Sequence, residues 1–239
     1  MSSIFYPANE RGHVQFDWLD TYHSFSFGQY HDPSKIHFGA LRVLNDDKVD
    51  AGMGFGTHPH DNMEIITIPL FGDLHHRDST GRDCIIKEHD VQIMSAGSGI
   101  QHSEVNPNKD KRVELFQIWI FPKERNITPR YDQKSFLPED RVDQLLTVVS
   151  PNEPGTLFIN QDAWLSLGHF KKPFTTKYPM HQAGQGLFAI CIEGTCTVGG
   201  QVLGRRDAVG ISGVEAVQIE ATAGSDLLLI EIPHFTTGA

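Results

Sequence analysis

Thr57-His58-Pro59-His60-Asp61-Asn62-Met63-Glu64-Ile65-Ile66-Thr67-Ile68 sets two histidines one residue apart ahead of a β-branched run that stops at Pro69 and Gly72. That is the pattern of a strand closed by a turn. In an extended chain residues i and i+2 project from the same side, so His58 and His60 share one face. Gly97-Ser98-Gly99-Ile100-Gln101-His102-Ser103-Glu104 repeats the arrangement after the alternating run Val91-Gln92-Ile93-Met94, and puts His102 and Glu104 on one face. Brought together inside a sheet, the two pairs make a set of three imidazoles and one carboxylate. Such a set suits a divalent first-row transition metal. With 13 histidines in 239 residues some close pairs arise by chance; the context shared by these two, a short strand meeting a glycine-rich bend, separates them from surface or capping histidines.

Around these segments the chain reads as strand after strand. Val113-Glu114-Leu115-Phe116-Gln117-Ile118-Trp119-Ile120-Phe121 alternates most strongly, and Ala40-Leu41-Arg42-Val43-Leu44 is a further strand, with Asn45-Asp46-Asp47 read as the turn after it. Asp78-Ser79-Thr80-Gly81-Arg82-Asp83 reads as a hairpin turn. His75 and His76 are adjacent, so only one of them can point inward from a strand. The aromatic stretch from Trp18 to Gly39 is read as core, with a wall of the site as the alternative. Gly52, Gly54 and Gly56 precede the first ligand pair without the helix that a dinucleotide fingerprint needs. Short strands between turn signals, and no long amphipathic helix, indicate an all-β barrel or sandwich.

The texture changes at Pro122, Lys123, Glu124, Arg125, Asn126, Pro129, Arg130 and Pro138, an irregular connection that marks a boundary. Two domains are expected, residues 1–135 with the metal site and residues 136–239 without one. The second half repeats the strand pattern in Gly186–Gly194, Thr195–Gly200 and Leu227–Ile232, which suggests a duplicated architecture, but it has no His-x-His and no His-x-Glu. Its histidines, His169, His181 and His234, stand singly, so it is read as a support.

A formal charge of -10 argues against a polyanionic partner, because binding to DNA or RNA draws on Lys and Arg meeting phosphates. Cys84, Cys191 and Cys196 form no Cys-x-x-Cys pair and no even framework, the usage of reduced thiols in a cytosolic protein. The N-terminal residues lack the basic region and apolar core of a secretory signal. No apolar run is long enough to span a bilayer. A cytoplasmic protein with no membrane contact is expected.

Several segments resemble the pirin family, two-barrel members of the cupin superfamily, and in particular the bacterial pirin-like quercetin 2,3-dioxygenases. They are Ala8–His13, Ser24-Phe25-Ser26-Phe27, Gly54–His60, Met94–Gly97 with Gly99-Ile100, His102-Ser103-Glu104 and Ile127–Tyr131. The resemblance spans nearly the whole chain. It implies an all-β fold of two cupin (jelly-roll β-barrel) domains in tandem, with metal in the first barrel only. The ligands it implies are His58, His60, His102 and Glu104. Many cupins take their carboxylate from the first motif, where Glu64 stands, but pirin-like proteins use the position of Glu104, which leaves Glu64 a structural or ligand-orienting role. The implied metal is iron, Fe(II), although Zn, Mn, Co, Ni or Cu suit the same donors.

The implied activity is oxygenative cleavage of flavonols such as quercetin, with O2 as co-substrate and carbon monoxide and a depside as products. Glu104 would both ligate the metal and accept the flavonol 3-hydroxyl proton, with Phe55 and Met53 shaping the pocket. The resemblance also admits another class, a metal- or redox-sensing regulator that binds a protein partner. A purely structural zinc would call for a closed tetrahedral set, often with thiolates, and this set has none. Because histidine binds metal only when neutral, metal release is expected as pH falls through the imidazole range.

Overall fold

β-Branched and aromatic residues in alternation fit a pleated surface, and the runs read from the sequence form the strands of a computed structural model that describes residues 1–234. Two single-turn 3-10 helices, Ala8–Glu10 and Pro138–Arg141, are the only helices among the described residues. Among the described residues no helix is long and apolar enough to cross a membrane. The strands build two barrels, each from a seven-stranded and a four-stranded sheet. In the first, the strands Asp90–Ser95, Glu64–Phe71, Val113–Ile120 and Leu41–Val49 lie side by side at the centre of the larger sheet, while Gly54–His60, Ile100–Val105, Leu74–Asp78 and Asp83–Ile86 make the smaller one.

The division expected at 135 and 136 is crossed by one strand. Arg130–Ser135 pairs with Asp90–Ser95 in the first barrel, but Ser2–Tyr6, at the far end of the chain, pairs antiparallel with Ala208–Ser212 of the second. The barrels are joined further by the largest apolar cluster, which takes Leu44, Ile66, Phe116 and Ile118 from one larger sheet and Leu165, Phe188, Ile190 and Ile230 from the other. The two larger sheets therefore pack face to face. Their central strands are buried on both faces, which is why they read as near-continuous apolar runs.

The alternation along each central strand sorts residues between this seam and a barrel interior. In Gln185–Glu193, Phe188, Ile190 and Ile192 face the seam, while Leu187, Ala189 and Cys191 fill the second barrel together with Leu227, Leu229 and Ile219. In Val113–Ile120, Phe116, Ile118 and Ile120 face the seam. Gln117 belongs to none of the apolar clusters, and the first barrel keeps only two small ones, around Leu74 and Ile86 and around Ile65 and Met94. The rest of its interior is polar: Thr21, Asp47, Thr67, His76, His102 and Glu104 are all buried. The second barrel is filled mostly with hydrocarbon, with the buried Glu231 held by Tyr178 and His181, whereas the first encloses a larger polar site.

Candidate metal centre

Gly54–His60 and Ile100–Val105 pair antiparallel, with His102 opposite His58 and Glu104 opposite Phe55. Between these pairs Gly56 and Thr57 stand against the single Ser103, a β-bulge that re-aims the side chains beside it. Gly54 permits the close approach: a Cβ there would lie 2.2 Å from the Glu104 carbonyl oxygen and 2.5 Å from the Val105 Cα. This gives a physical reason for one of the glycines ahead of the first ligand pair.

The structure brings His58, His60 and His102 together, one ligand atom from each lying within 4.8 Å of the others. His58 Nδ1 donates to the Gly56 carbonyl at 2.7 Å, which fixes the proton on Nδ1 and leaves Nε2 with its lone pair. His58 Nε2 and His102 Nε2 are 3.0 Å apart, and His60 Nε2 is buried with no hydrogen-bond partner. Burial, followed by the neighbouring imidazoles, holds His60 down to about 4 and His102 down to about 3. Neutral imidazoles with unshared pairs turned to a common space fit a divalent cation.

Glu104 lies in a second, overlapping group with His102 and His76, again within 4.8 Å. His76 is directly opposite Glu104 in the pairing of Ile100–Val105 with Leu74–Asp78. Of the adjacent histidines it is therefore His76 that points inward, fully buried with Nε2 on Asp78 at 3.0 Å, while His75 pairs with Asp83 at 2.6 Å on the outside. Both oxygens of Glu104 are held. Thr67 Oγ1 donates to Oε1 at 3.2 Å and Gln117 Nε2 to Oε2 at 2.6 Å. Trp119 Nε1 donates to Gln117 Oε1 at 3.1 Å, and because an indole can only donate, it fixes which end of the Gln117 amide faces Glu104.

Glu64 has other partners. Its Oε2 accepts from Ser95 Oγ at 2.8 Å and from the backbone N–H of Asn160, in the second half of the chain, at 3.2 Å. Burial pushes its carboxyl up to about 7. Asn45, Asp46 and Asp47, read as a turn, are instead buried inside the nine-residue strand Leu41–Val49. Their turn propensity is overridden by specific partners: His23 Nδ1 meets Asn45 Oδ1 at 2.8 Å, Arg11 binds Asp46 at 3.0 Å, and Thr21 Oγ1 donates to Asp47.

A cavity of about 210 Å³ opens on the cluster, with His58, His60, Glu104 and Gln117 on one part of its lining and Phe27, Phe55 and Trp119 on another. Thr21, Asn45 and Asp47 give it polar groups as well. Phe55 lines it as expected, whereas Met53 is outside the lining and exposed. Sequence reading missed Gln117, Trp119 and Asp47. The available signal was a glutamine in register with Val113, Leu115 and Trp119, on the face of its strand opposite Glu114.

The depressed histidine values move the acid limit of metal binding. Protons compete for His60 and His102 only well below the ordinary imidazole range, so release through that range is replaced by a lower one. Metal content after equilibrium dialysis should be the same at pH 8 and at about 6, and should fall as pH approaches about 4. Half-release near pH 6.5 would show that the site is open to water.

Two barrels of this build, one with a buried imidazole and carboxylate cluster, define a bicupin. The comparisons with known proteins are specific. Residues 6–120 match the model of the family described as Pirin, and residues 147–232 match that of the quercetinase C-terminal cupin domain. The chain is 42% identical over 229 residues to quercetin 2,3-dioxygenase of Escherichia coli strain K12, covering 95% of this chain and 96% of that protein. The crystal structure of YhhW from Escherichia coli superimposes with a TM-score of 0.93 at 40% identity, covering 99% of this chain and all of that one. The structure of the same bacterial pirin in complex with nickel(II) gives 0.92. The chain belongs to the pirin family, and it is a pirin-family dioxygenase in type.

Proposed function

We propose that His58, His60, His102 and Glu104 hold a divalent transition metal, iron first among the candidates, and that the protein cleaves flavonols such as quercetin with O2 to carbon monoxide and a depside. The observation that carries this reading is the cavity itself, where His58, His60 and the tethered Glu104, with His102 clustered behind them, adjoin a wall of flat aromatic rings. When bound, the cation supplies Lewis acidity toward the substrate oxygens and a place for them beside O2.

Glu104 is the base for the 3-hydroxyl proton, and Thr67 and Gln117 set its position. Loss of that proton makes the flavonol electron-rich enough to react with O2. Phe27, Phe55 and Trp119 offer faces to a planar substrate, and Asp47 offers a polar group to its remaining hydroxyls. At about 210 Å³ the cavity is smaller than ligand pockets of roughly 300–1,000 Å³, so the substrate extends into its mouth.

The test is metal-loaded protein with quercetin in air. Loss of flavonol absorbance should match oxygen uptake and carbon monoxide release one for one, and should stop under anaerobic conditions. Fully loaded protein with no oxygen-dependent loss would remove the proposal.

A further inference from the structure

A flavonol extends beyond the cavity at the metal cluster, but a single ring fits inside it. Benzene needs a cavity of about 150 Å³, and this one has about 210 Å³. Its polar groups stand on opposite walls. His58, His60 and Glu104 come from the smaller sheet of the first barrel, whereas Thr21, Asn45 and Asp47 come from Leu19–His23 and Leu41–Val49 of the larger one. Phe27, Phe55 and Trp119 add flat faces to the lining.

On the wall away from the cluster the hydrogen bonding is half used. Thr21 Oγ1 donates to Asp47 Oδ1, and His23 Nδ1 meets Asn45 Oδ1 at 2.8 Å. Burial pulls His23 below the ordinary imidazole range, so the ring is neutral, its Nδ1 carries the proton and the Asn45 oxygen accepts it. Asp47 Oδ2 and Asn45 Nδ2 are left without partners among the described residues. Neither atom is sealed in protein, unlike the unpartnered His76 Nδ1 and Gln92 amide, so both are open to the cavity that their residues line. Burial also pushes the Asp47 carboxyl up to about 7, against the Thr21 bond, so near neutral pH this wall carries little charge. A donor beside an acceptor selects a hydroxyl, which gives and takes at one atom. A methyl group there leaves both unpaired, at a cost.

We propose that the cavity takes monocyclic polyphenols whole, one hydroxylated edge turned to the metal cluster and a hydroxyl across the ring shared between Asn45 Nδ2 and Asp47 Oδ2. This ligand class goes beyond flavonols, and it rests on the reading of the cluster as a metal site. 1,2,4-Trihydroxybenzene has the pattern, with two adjacent hydroxyls at one edge and the third opposite.

The test is calorimetric titration of the zinc-loaded full chain, without air so that the triol stays unoxidised. 1,2,4-Trihydroxybenzene is compared with 4-methylcatechol, which puts a methyl group where the third hydroxyl stands. The triol should bind one to one and at least tenfold more tightly, and quercetin should displace it. Asp47→Leu should weaken the triol at least tenfold and abolish the preference, with zinc content unchanged. If that variant does not fold, the two ligands on the natural chain still decide the matter. Equal affinities there, a preference that survives Asp47→Leu, triol and quercetin bound together, or no binding of the triol would overturn the assignment. Quercetin cleaved by a protein without the preference sinks this inference alone, and the preference in a protein that leaves quercetin intact sinks flavonol cleavage alone.

Discussion

Replacing Glu104 with glutamine is expected to empty the metal site and to lower flavonol-dependent oxygen uptake by about 10³-fold, within the range of roughly 10²–10⁴ typical for loss of a general base alone. The change is isosteric, so the effect comes from the hydrogen-bond network. Trp119 fixes the Gln117 amide with its N–H groups toward position 104, and a glutamine there must answer with its carbonyl oxygen. Its NH2 group then replaces Oε1, next to Thr67, and presents a donor where a ligand or base needs a lone pair. Glu64→Gln is the control, because an amide oxygen can still accept from Ser95 and from the Asn160 N–H, so metal and turnover should be retained. Its stability should even rise at alkaline pH. The folded carboxyl titrates near 7 against an ordinary 4.5, so its contribution to stability is complete below about pH 4.5 and is lost as pH rises through about 7. A neutral residue removes that loss, worth up to about 3 kcal/mol above pH 7. Metal analysis, oxygen uptake and denaturant titration at pH 5 and 8 check the pair. Metal retained in Glu104→Gln and lost in Glu64→Gln would transfer the ligand role.

Strand parity made much of the site legible. The spacing of His58 and His60, and of His102 and Glu104, put each pair on one face, and the structure places those faces around a common interior. What parity could not supply was the partner strand. His76 enters only because Leu74–Asp78 pairs in a register that sets it against Glu104, and register is a relation between distant segments. Asn45-Asp46-Asp47 carried a local turn signal that long-range partners overrode, Arg11 and Thr21 among them. The seam was hidden for another reason. In Gln185–Glu193 both faces are apolar, so alternation cannot say which face lines a barrel and which meets a second sheet. Nor could the first strand, Ser2–Tyr6, announce a pairing some two hundred residues away.

That hidden seam leads to the second large effect. Phe188→Ala should cost about 3–5 kcal/mol of stability, the range for deleting a fully buried aromatic side chain. Phe188 comes from the second barrel, and its ring centroid lies 5.6 Å from that of Phe25 and 5.8 Å from that of Phe38, both from the first. It also meets Tyr6 at 5.3 Å, on the strand that crosses the division. The void left behind cannot close easily. Phe38 is seated on bare backbone, since a Cβ at Gly210 would come within 2.6 Å of its ring and one at Gly186 within 3.0 Å. At the same junction Gly39, at φ 53°, brings the chain so close that a Cβ there would lie 2.3 Å from the Pro233 carbonyl oxygen. Neither larger sheet can cover its seam face alone, so the loss should fall on both barrels together. Trp18 and Trp119 report on the first barrel and Trp164 on the second. Denaturant curves of Phe188→Ala, followed by fluorescence with and without a Trp164→Phe change, should shift to one common midpoint. Two separated transitions, with the first barrel unmoved, would mean that the barrels fold independently and that the cluster around Phe188 belongs to the second one alone.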